Sequence, residues 1–386
     1  IYSMKNTIIK KIIFLSFGLV LFSIVACSNN DLSEEKITML LTTNVRGQLD
    51  PCGWKANPLG GLPRRLTYIN QIKQSGVDPI LLDAGDALFE NDIILKEKLS
   101  SAKLRAETVV KSTAKMGNYI YNVGQYDFAG GYSFIKELES TFKANFISSN
   151  LFLRGTNKLA FNGHEIININ GIKVGVFGII TDIPAMVKEL ELKDPILTAQ
   201  SKINELRPKV DLLVMLLNAS IPQVSNSISS FEGIDYVFTS RETTRTRPET
   251  GQEGSGPLHY CTGIQGKYIG RFDITISDKT KPITDITSRL MAMNFYENRL
   301  KTLQNKDPKK PIEEIYKNNR SVLDMIEKFK AGAAESESEL QGAPNKSFYS
   351  LIPLNGGIAS ERGLLKLVDQ VLETCEELDK KATIKT

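Results

Sequence analysis

A turn-rich loop between an apolar strand and a helix constrains this chain more than any other stretch. The apolar run Ile37 to Leu41 has the length of a buried strand, and residues 42–65 that follow it are rich in glycine and proline. A helical pattern begins at Arg64. In open α/β sheets such strand-end loops build the ligand site. The loop therefore predicts an α/β fold with a site at this strand end.

Four further apolar runs end in short polar segments. These segments are Asp83-Ala84-Gly85-Asp86, Gly124-Gln125-Tyr126, Asn218-Ala219-Ser220 and Thr239-Ser240-Arg241-Glu242-Thr243. Together with the first loop they resemble, in order, the five motifs of the calcineurin-like metallophosphoesterases, in particular the 5'-nucleotidase branch. The resemblance implies a four-layer α/β/β/α sandwich of the metallo-dependent phosphatase type over residues 36–285, followed by a C-terminal helical extension.

The same resemblance implies that most metal ligands of that family have been replaced. The family's metal-site and acid positions hold Asn44, Arg46, Asp86, Gln125, Tyr126, Asn218, Arg241 and Thr243. Asp86 is the one metal-bridging carboxylate that is retained. A guanidinium has no lone pair to donate, so Arg46 argues against a metal at its own position.

The residues that remain are poorly suited to two-metal hydrolysis. The chain has two histidines, His164 and His259, whereas the family's site needs four imidazoles and two carboxylates. Tyr126, in place of the family's acid, offers a phenol whose ordinary pKa is about 10. We therefore expect no cofactor. The alternative is one weakly held divalent metal at Asp86.

The resemblance brings Arg46 and Arg241 into one cleft. If both side chains point inward, they form a cationic pocket around Asp86. They would then replace the missing metal charge or hold an anionic ligand through bidentate contacts. The alternative is that both are solvated surface arginines.

The segment Cys52-Gly53-Trp54 resembles a sub-branch of these proteins that carries Cys-Gly-Cys or Cys-Gly-selenocysteine in the same loop. Trp54 is the one tryptophan of the chain, and the selenocysteine codon UGA is read as Trp in some translation tables. Our hypothesis is that residue 54 is selenocysteine and forms a catalytic redox site with Cys52, which would require a redox partner. The alternative is an ordinary exposed aromatic beside a lone thiol.

The first residues predict an exported lipoprotein. Residues 1–26 combine three lysines with an apolar run that ends just before Cys27, as in a lipoprotein signal peptide. We expect Cys27 to carry the lipid, residues 27–35 to form a polar tether, and the protein to lie in the bacterial cell envelope on its periplasmic or outer face. An uncleaved membrane anchor is the alternative.

Removal of the three lysines lowers the formal net charge from +4 to +1. A chain so close to neutral gives no electrostatic reason to expect a nucleic-acid partner. Three cysteines besides Cys27 remain, an odd number, so at least one thiol is free, modified or paired with another chain.

The pattern changes after residue 285. It predicts a helical hairpin over 286–331, a linker over 332–345 and a small C-terminal helical element over 346–386.

The sequence leaves three functional hypotheses for the chain. The chain is a catalytically divergent member that works through the Cys52 loop by redox chemistry or ligand binding, an altered metal-dependent phosphoesterase that retains Asp86, or a non-catalytic scaffold.

Overall fold

The computed structural model describes residues 34–53, 56–220, 231–252 and 256–383. The predicted signal peptide, Cys27 and Trp54 lie outside these ranges. The strands are β1 Glu35–Thr42, β2 Pro51–Cys52, β3 Leu59–Gly60, β4 Ile80–Asp83, β5 Tyr119–Asn122, β6 Asn145–Ile147, β7 Leu151–Leu153, β8 His164–Ile169, β9 Ile172–Ile180, β10 Leu190–Leu192, β11 Leu212–Asn218, β12 Tyr236–Ser240, β13 Leu258–Tyr260, β14 Tyr268–Ile276, β15 Ile283–Asp285 and β16 Asn345–Pro353. The α-helices are α1 Leu62–Gln74, α2 Leu99–Thr113, α3 Tyr132–Phe142, α4 Pro195–Leu206, α5 Thr287–Gln304, α6 Ile312–Ile315, α7 Arg320–Gly342 and α8 Arg362–Thr383.

Two sheets form the centre of the fold. The larger has seven strands in the order β15-β16-β14-β1-β4-β5-β6, and the smaller has five in the order β13-β12-β11-β9-β8. Strands β1, β4, β5 and β6 run parallel, as do β9, β11, β12 and β13. The carboxyl ends of these parallel strands carry the loops that the sequence singled out, which is where ligand sites form in such sheets.

Three apolar clusters define four layers. One lies between the two sheets and includes Met39, Val214 and Phe272. A second joins the outer face of the seven-stranded sheet to helices α1, α2, α3 and α8, and a third packs α4 against the five-stranded sheet. This arrangement confirms the predicted α/β/β/α sandwich.

The C-terminal region differs from the expectation in two places. The predicted linker over 332–345 is helical through Gly342, because α7 packs along α5, with the ring of Tyr296 against Gly332 and contacts between Phe295 and Phe329. The segment 345–353, expected within a helical element, is the strand β16, paired with both β14 and β15. Helix α8 lies in the outer layer beside α2.

Among the described residues, no helix combines the length and apolarity that crossing a bilayer requires.

Candidate functional site

Four strand-end residues adopt left-handed backbone angles, although none is glycine. The φ angles are 49° at Asn44, 56° at Arg46, 56° at Asp86 and 68° at Arg241. Such a conformation costs about 1 kcal/mol or more at each residue and persists where the surroundings fix it. The four residues therefore mark a tightly held set of loops at one edge of the sandwich.

The side chain of Asn44 joins its own loop to two others, one that contains Arg241 and Glu242 and one that contains Gly263. Its buried side-chain oxygen accepts a hydrogen bond from the backbone N–H of Arg241 at 2.6 Å. Its amide nitrogen donates to the carbonyl oxygens of Glu242 at 2.7 Å and Gly263 at 3.0 Å. Because these bonds use both ends of the amide, Asn44 acts as a structural connector.

Asp86 is the buried acid at the centre of the site. One carboxylate oxygen accepts a hydrogen bond from the Tyr126 backbone N–H at 2.9 Å, and the other has no hydrogen-bond partner among the described residues. Burial raises the pKa of Asp86, while the Tyr126 N–H, the Asn218 amide and the guanidinium groups of Arg46 and Arg241 lower it. Both arginines therefore act on this carboxyl group.

The two arginines are held differently. Arg241 forms an ion pair with Asp182 at 2.6 Å, and its side chain is 21% exposed. Arg46 lies over the ring of Tyr126 at 5.3 Å from the centroid, and its buried Nε has no hydrogen-bond partner among the described residues. This geometry places two cations where the sequence pattern suggested a cationic pocket.

The remaining predicted positions separate into buried and exposed ones. The oxygen of the Asn218 amide accepts the Gln125 backbone N–H at 3.0 Å, and its nitrogen donates to Ser240 at 2.8 Å. The side-chain oxygen of Gln125 is buried and has no partner among the described residues. Thr243 is exposed.

Cys52 lies on the short hairpin formed by β2 and β3. Its half-buried thiol donates to the side-chain oxygen of Gln265 at 3.5 Å. Burial raises the pKa of this thiol, Lys267 lowers it, and Asp50 raises it further. Cys52, Cys261 and Cys375 are all free in the part of the chain that the structure describes.

A cavity of about 560 Å³ opens beside the hairpin and the Arg46 loop. Arg46 and Gln265 line it from the site, Lys98 from just before α2, Arg105 from the middle of α2, and Asp379 from α8. Lys98 and Asp379, both in its lining, form an ion pair at 2.6 Å. Gln265 therefore belongs to both the cavity and the surroundings of Cys52.

Sequence reasoning did not find the residues that complete this cavity. Arg105 and Asp379 lie on amphipathic helices, where charged residues normally face solvent. Only the packing of α8 against α2 brings them together. The left-handed Gln265, with φ of 62°, lies in a Gly-rich loop that offered the one local signal.

Comparisons with known proteins agree with the fold. No protein-family model matches the chain. A snake venom 5'-nucleotidase from Naja atra is 23% identical over 280 residues, which cover 64% of this chain and 52% of that protein. A 5'-nucleotidase from Vibrio cholerae is 29% identical over 192 residues, 45% of this chain and 32% of the relative. The solved structure of the calcineurin-like phosphoesterase YfkN from Bacillus subtilis superposes with a TM-score of 0.55 at 13% identity, over 91% of this chain and 99% of that chain.

These matches place the chain in the calcineurin-like phosphoesterase and 5'-nucleotidase superfamily. The chain spans about half or less of the length of the curated relatives it matches.

The residues present do not fit the two-metal centre that the resemblance to this family implies. Among the described residues, no group of three or more His, Cys, Asp or Glu side chains lies close enough to hold a metal ion. The oxygens of the Asn44 and Asn218 amides already accept backbone hydrogen bonds, and Arg46 and Arg241 place positive charge beside Asp86. A divalent cation would meet both repulsion and occupied oxygens at this position.

Neither histidine supplies the missing ligands. His164 lies at the start of the edge strand β8. His259 shares a 2.9 Å hydrogen bond with Thr239, and burial lowers its pKa to about 4.

Proposed function

We propose that this chain is a metal-independent member of the superfamily that binds a small polar ligand in the cavity beside the Cys52 loop. The observation that carries the proposal is the position of Arg46. The residue stands where the family has a metal-binding histidine, and it lines the 560 Å³ cavity. A volume of this size is typical of small-molecule sites.

The network around Asp86 supports the metal-independent part of the proposal. Two guanidinium groups supply the positive charge that metals supply in the family, and they do so without a vacant coordination position. Arg46 keeps an unpartnered Nε, whereas Arg241 is engaged with Asp182. Arg46 also lines the cavity, so it is the cation that a ligand there would meet.

The connection to Cys52 runs through Gln265. The side-chain oxygen of Gln265 accepts from the thiol, and its backbone N–H donates to the Asn44 carbonyl at 2.7 Å. A ligand in the cavity would therefore contact a residue that also contacts Cys52. This contact is the physical basis for assigning the function to the Cys52 loop.

A manganese-dependent phosphatase assay tests the proposal. With p-nitrophenyl phosphate and added Mn²⁺, we expect no hydrolysis above the protein-free rate, and no difference between the native chain and Asp86→Asn. Asp78→Asn, which changes an exposed carboxylate, is the matched control. Hydrolysis by the native chain and by Asp78→Asn that disappears in Asp86→Asn would refute the metal-independent proposal. It would support an altered phosphoesterase, a role suggested by the names of the 5'-nucleotidase relatives.

Redox chemistry at the hairpin is a second candidate, favoured by the half-buried, free thiol of Cys52. If residue 54 is selenocysteine, oxidation would form a sulfur–selenium bond with Cys52 and pass two electrons and two protons to a disulfide-containing partner. The raised pKa of Cys52 makes the selenol the attacking group in this proposal. Elemental analysis of the natively produced protein decides the matter. About one selenium per chain would support it, and none would exclude it.

We also propose that the protein is anchored in the bacterial envelope through a lipid on Cys27, with the membrane as its partner and no role for nucleic acid. The apolar run that ends before Cys27 supports this proposal. Radiolabelled palmitate supplied to a bacterial host should label the native protein and leave Cys27→Ser unlabelled. Equal labelling of both would contradict it.

A further inference from the structure

A second depression borders the 263–268 loop, whose residue Gln265 lines the cavity described above. It has a volume of about 360 Å³ and is bordered by the segment 243–247 and the loop 263–268. Three cations line it, namely Arg245, Arg247 and Lys267, together with the hydroxyl-bearing Thr243 and Thr244. No aspartate or glutamate of the described residues belongs to its lining.

This concentration of charge is local. The whole chain carries 48 basic and 44 acidic residues, so its composition alone would place acidic groups beside most basic ones. Elsewhere on the surface, several Lys and Arg side chains pair with carboxylates, as Arg320 does with Asp324 at 3.0 Å. Like charges held together without a counter-charge repel one another, and an anion relieves this repulsion.

The backbone that carries the two arginines is fixed by Thr246. The Thr246 N–H donates to the Cys261 carbonyl at 2.8 Å, and the Thr246 hydroxyl accepts the Cys261 N–H at 3.0 Å. The hydroxyl of Tyr349 donates to the Thr246 carbonyl at 3.1 Å. Three bonds at one residue hold its neighbours Arg245 and Arg247 at the groove before any ligand arrives, which lowers the entropy lost on binding.

An aromatic ring holds the first arginine in place. The guanidinium of Arg245 lies 4.9 Å from the ring centroid of Tyr268. Stacking of this kind leaves the N–H groups at the rim of the guanidinium free to donate to an anion. Lys267 precedes Tyr268 in the chain, so its ammonium group approaches the groove from the same loop.

We propose that this groove is a binding site for a small, multiply charged oxyanion, either a phosphate or sulfate group of a small molecule or the free ion. Arginines match such oxygens with paired N–H donors, lysine adds a compact charge, and the two threonine hydroxyls add neutral donors. The site is separate from the cavity beside Arg46 and does not depend on what that cavity binds.

The test is a calorimetric titration of the full chain with inorganic pyrophosphate in a buffer of low ionic strength. We expect saturable binding, and weakening by about tenfold in Arg247→Gln and in Lys267→Gln, since a hydrogen bond to a charged group contributes at least that factor. Arg320→Gln removes an exposed arginine of α7, whose side chain is 87% exposed, and should leave the affinity unchanged. Both groove variants keep the Thr246 bonds, and unchanged far-ultraviolet circular dichroism will show that they fold.

Two further arms identify the source of the oxyanion. Sulfate should compete with pyrophosphate, whereas vesicles of phosphatidylcholine with 30% phosphatidylglycerol should not. The proposal is overturned by an absence of saturable binding, by an equal loss in Arg320→Gln, or by binding to the vesicles alone.

Discussion

Asp83, at the end of β4 below the site, should make the stability of this protein depend on pH between 4 and 7. The carboxyl group is 1% exposed and accepts hydrogen bonds from the Thr42 hydroxyl at 2.6 Å and the Gly85 N–H at 2.9 Å. Burial nevertheless raises its pKa from 3.8 to about 6, and the charge of Asp86 adds to the rise. The buried Arg65 lowers the pKa only in part.

The direction and size of this pH effect on stability follow from proton linkage. A carboxyl group with a raised pKa in the folded state holds its proton there at pH values where the unfolded chain has lost it. Its contribution to stability is therefore complete below pH 3.8 and is lost as the pH rises through 6. A shift of about two units corresponds to about 3 kcal/mol in total, of which about 2 kcal/mol falls between pH 4.5 and 7.

The pH-dependent contribution of Asp83 to stability can be measured by urea unfolding. The native chain and Asp83→Asn are compared at half-unit steps from pH 4.5 to 7.5. The substitution has a cost of its own, but that cost does not vary with the protonation of residue 83. We expect the difference in free energy of unfolding between the two proteins to shift by about 2 kcal/mol in favour of Asp83→Asn as the pH rises. The exposed Asp78→Asn should produce no such shift. Parallel pH profiles for the native chain and Asp83→Asn would refute the reasoning.

Three other measurements test the described contacts. Cys52 should react slowly with iodoacetamide at pH 8 because burial raises its thiol pKa, and Lys267→Gln should slow it about twofold more by removing a charge that lowers this pKa. Because the pKa of His259 is lowered to about 4, the protein should lose up to about 3 kcal/mol of stability as the pH falls from 6.5 toward 4. In urea unfolding, His259→Gln should abolish this loss. Gly124→Ala should destabilise the fold by about 3 kcal/mol, because an added Cβ would clash with the backbone nitrogen and a carboxylate oxygen of Asp86.

A specific result would contradict each of these predictions. Gly342 has open space around the position of an added Cβ, so Gly342→Ala should change the free energy of unfolding little, and equal losses in both glycine variants would contradict the packing argument. Faster alkylation of Cys52 in Lys267→Gln would contradict the assigned sign. If His259→Gln loses as much stability between pH 6.5 and 4 as the native chain does, the loss comes from other groups.

The strand-end part of the site was accessible from sequence because its segments resemble the family's motifs. The resemblance singled out Asp86, Asn44 and Arg241, and the structure brings them together. Their detailed roles were not accessible. Whether an amide oxygen is free or already accepts an N–H depends on backbone angles in loops that are distant in sequence.

The C-terminal strand was missed because two of its three buried residues, Asn345 and Ser347, are polar. Asn345 is 1% exposed, yet its side chain accepts from the backbone N–H groups of Ser277 and Asp278 and donates to the carbonyls of Asp278 and Lys281. A pattern search takes such a residue for part of a loop. The helical part of the predicted linker was missed for a related reason, since contacts with Tyr296 outweigh the low helix propensity of Gly332.

The position of β16 also determines when the seven-stranded sheet can be completed. Eight residues of β14 pair with β16, and the other edge of β14 pairs with β1 near the beginning of the domain. Until residue 353 has been synthesised, β14 has one unpaired edge, and an unpaired strand edge is a template for aggregation. One edge of β14 therefore stays unpaired while some eighty further residues are synthesised, and during that time it can pair with other chains. A chaperone that binds unfolded chains would be most useful at β14.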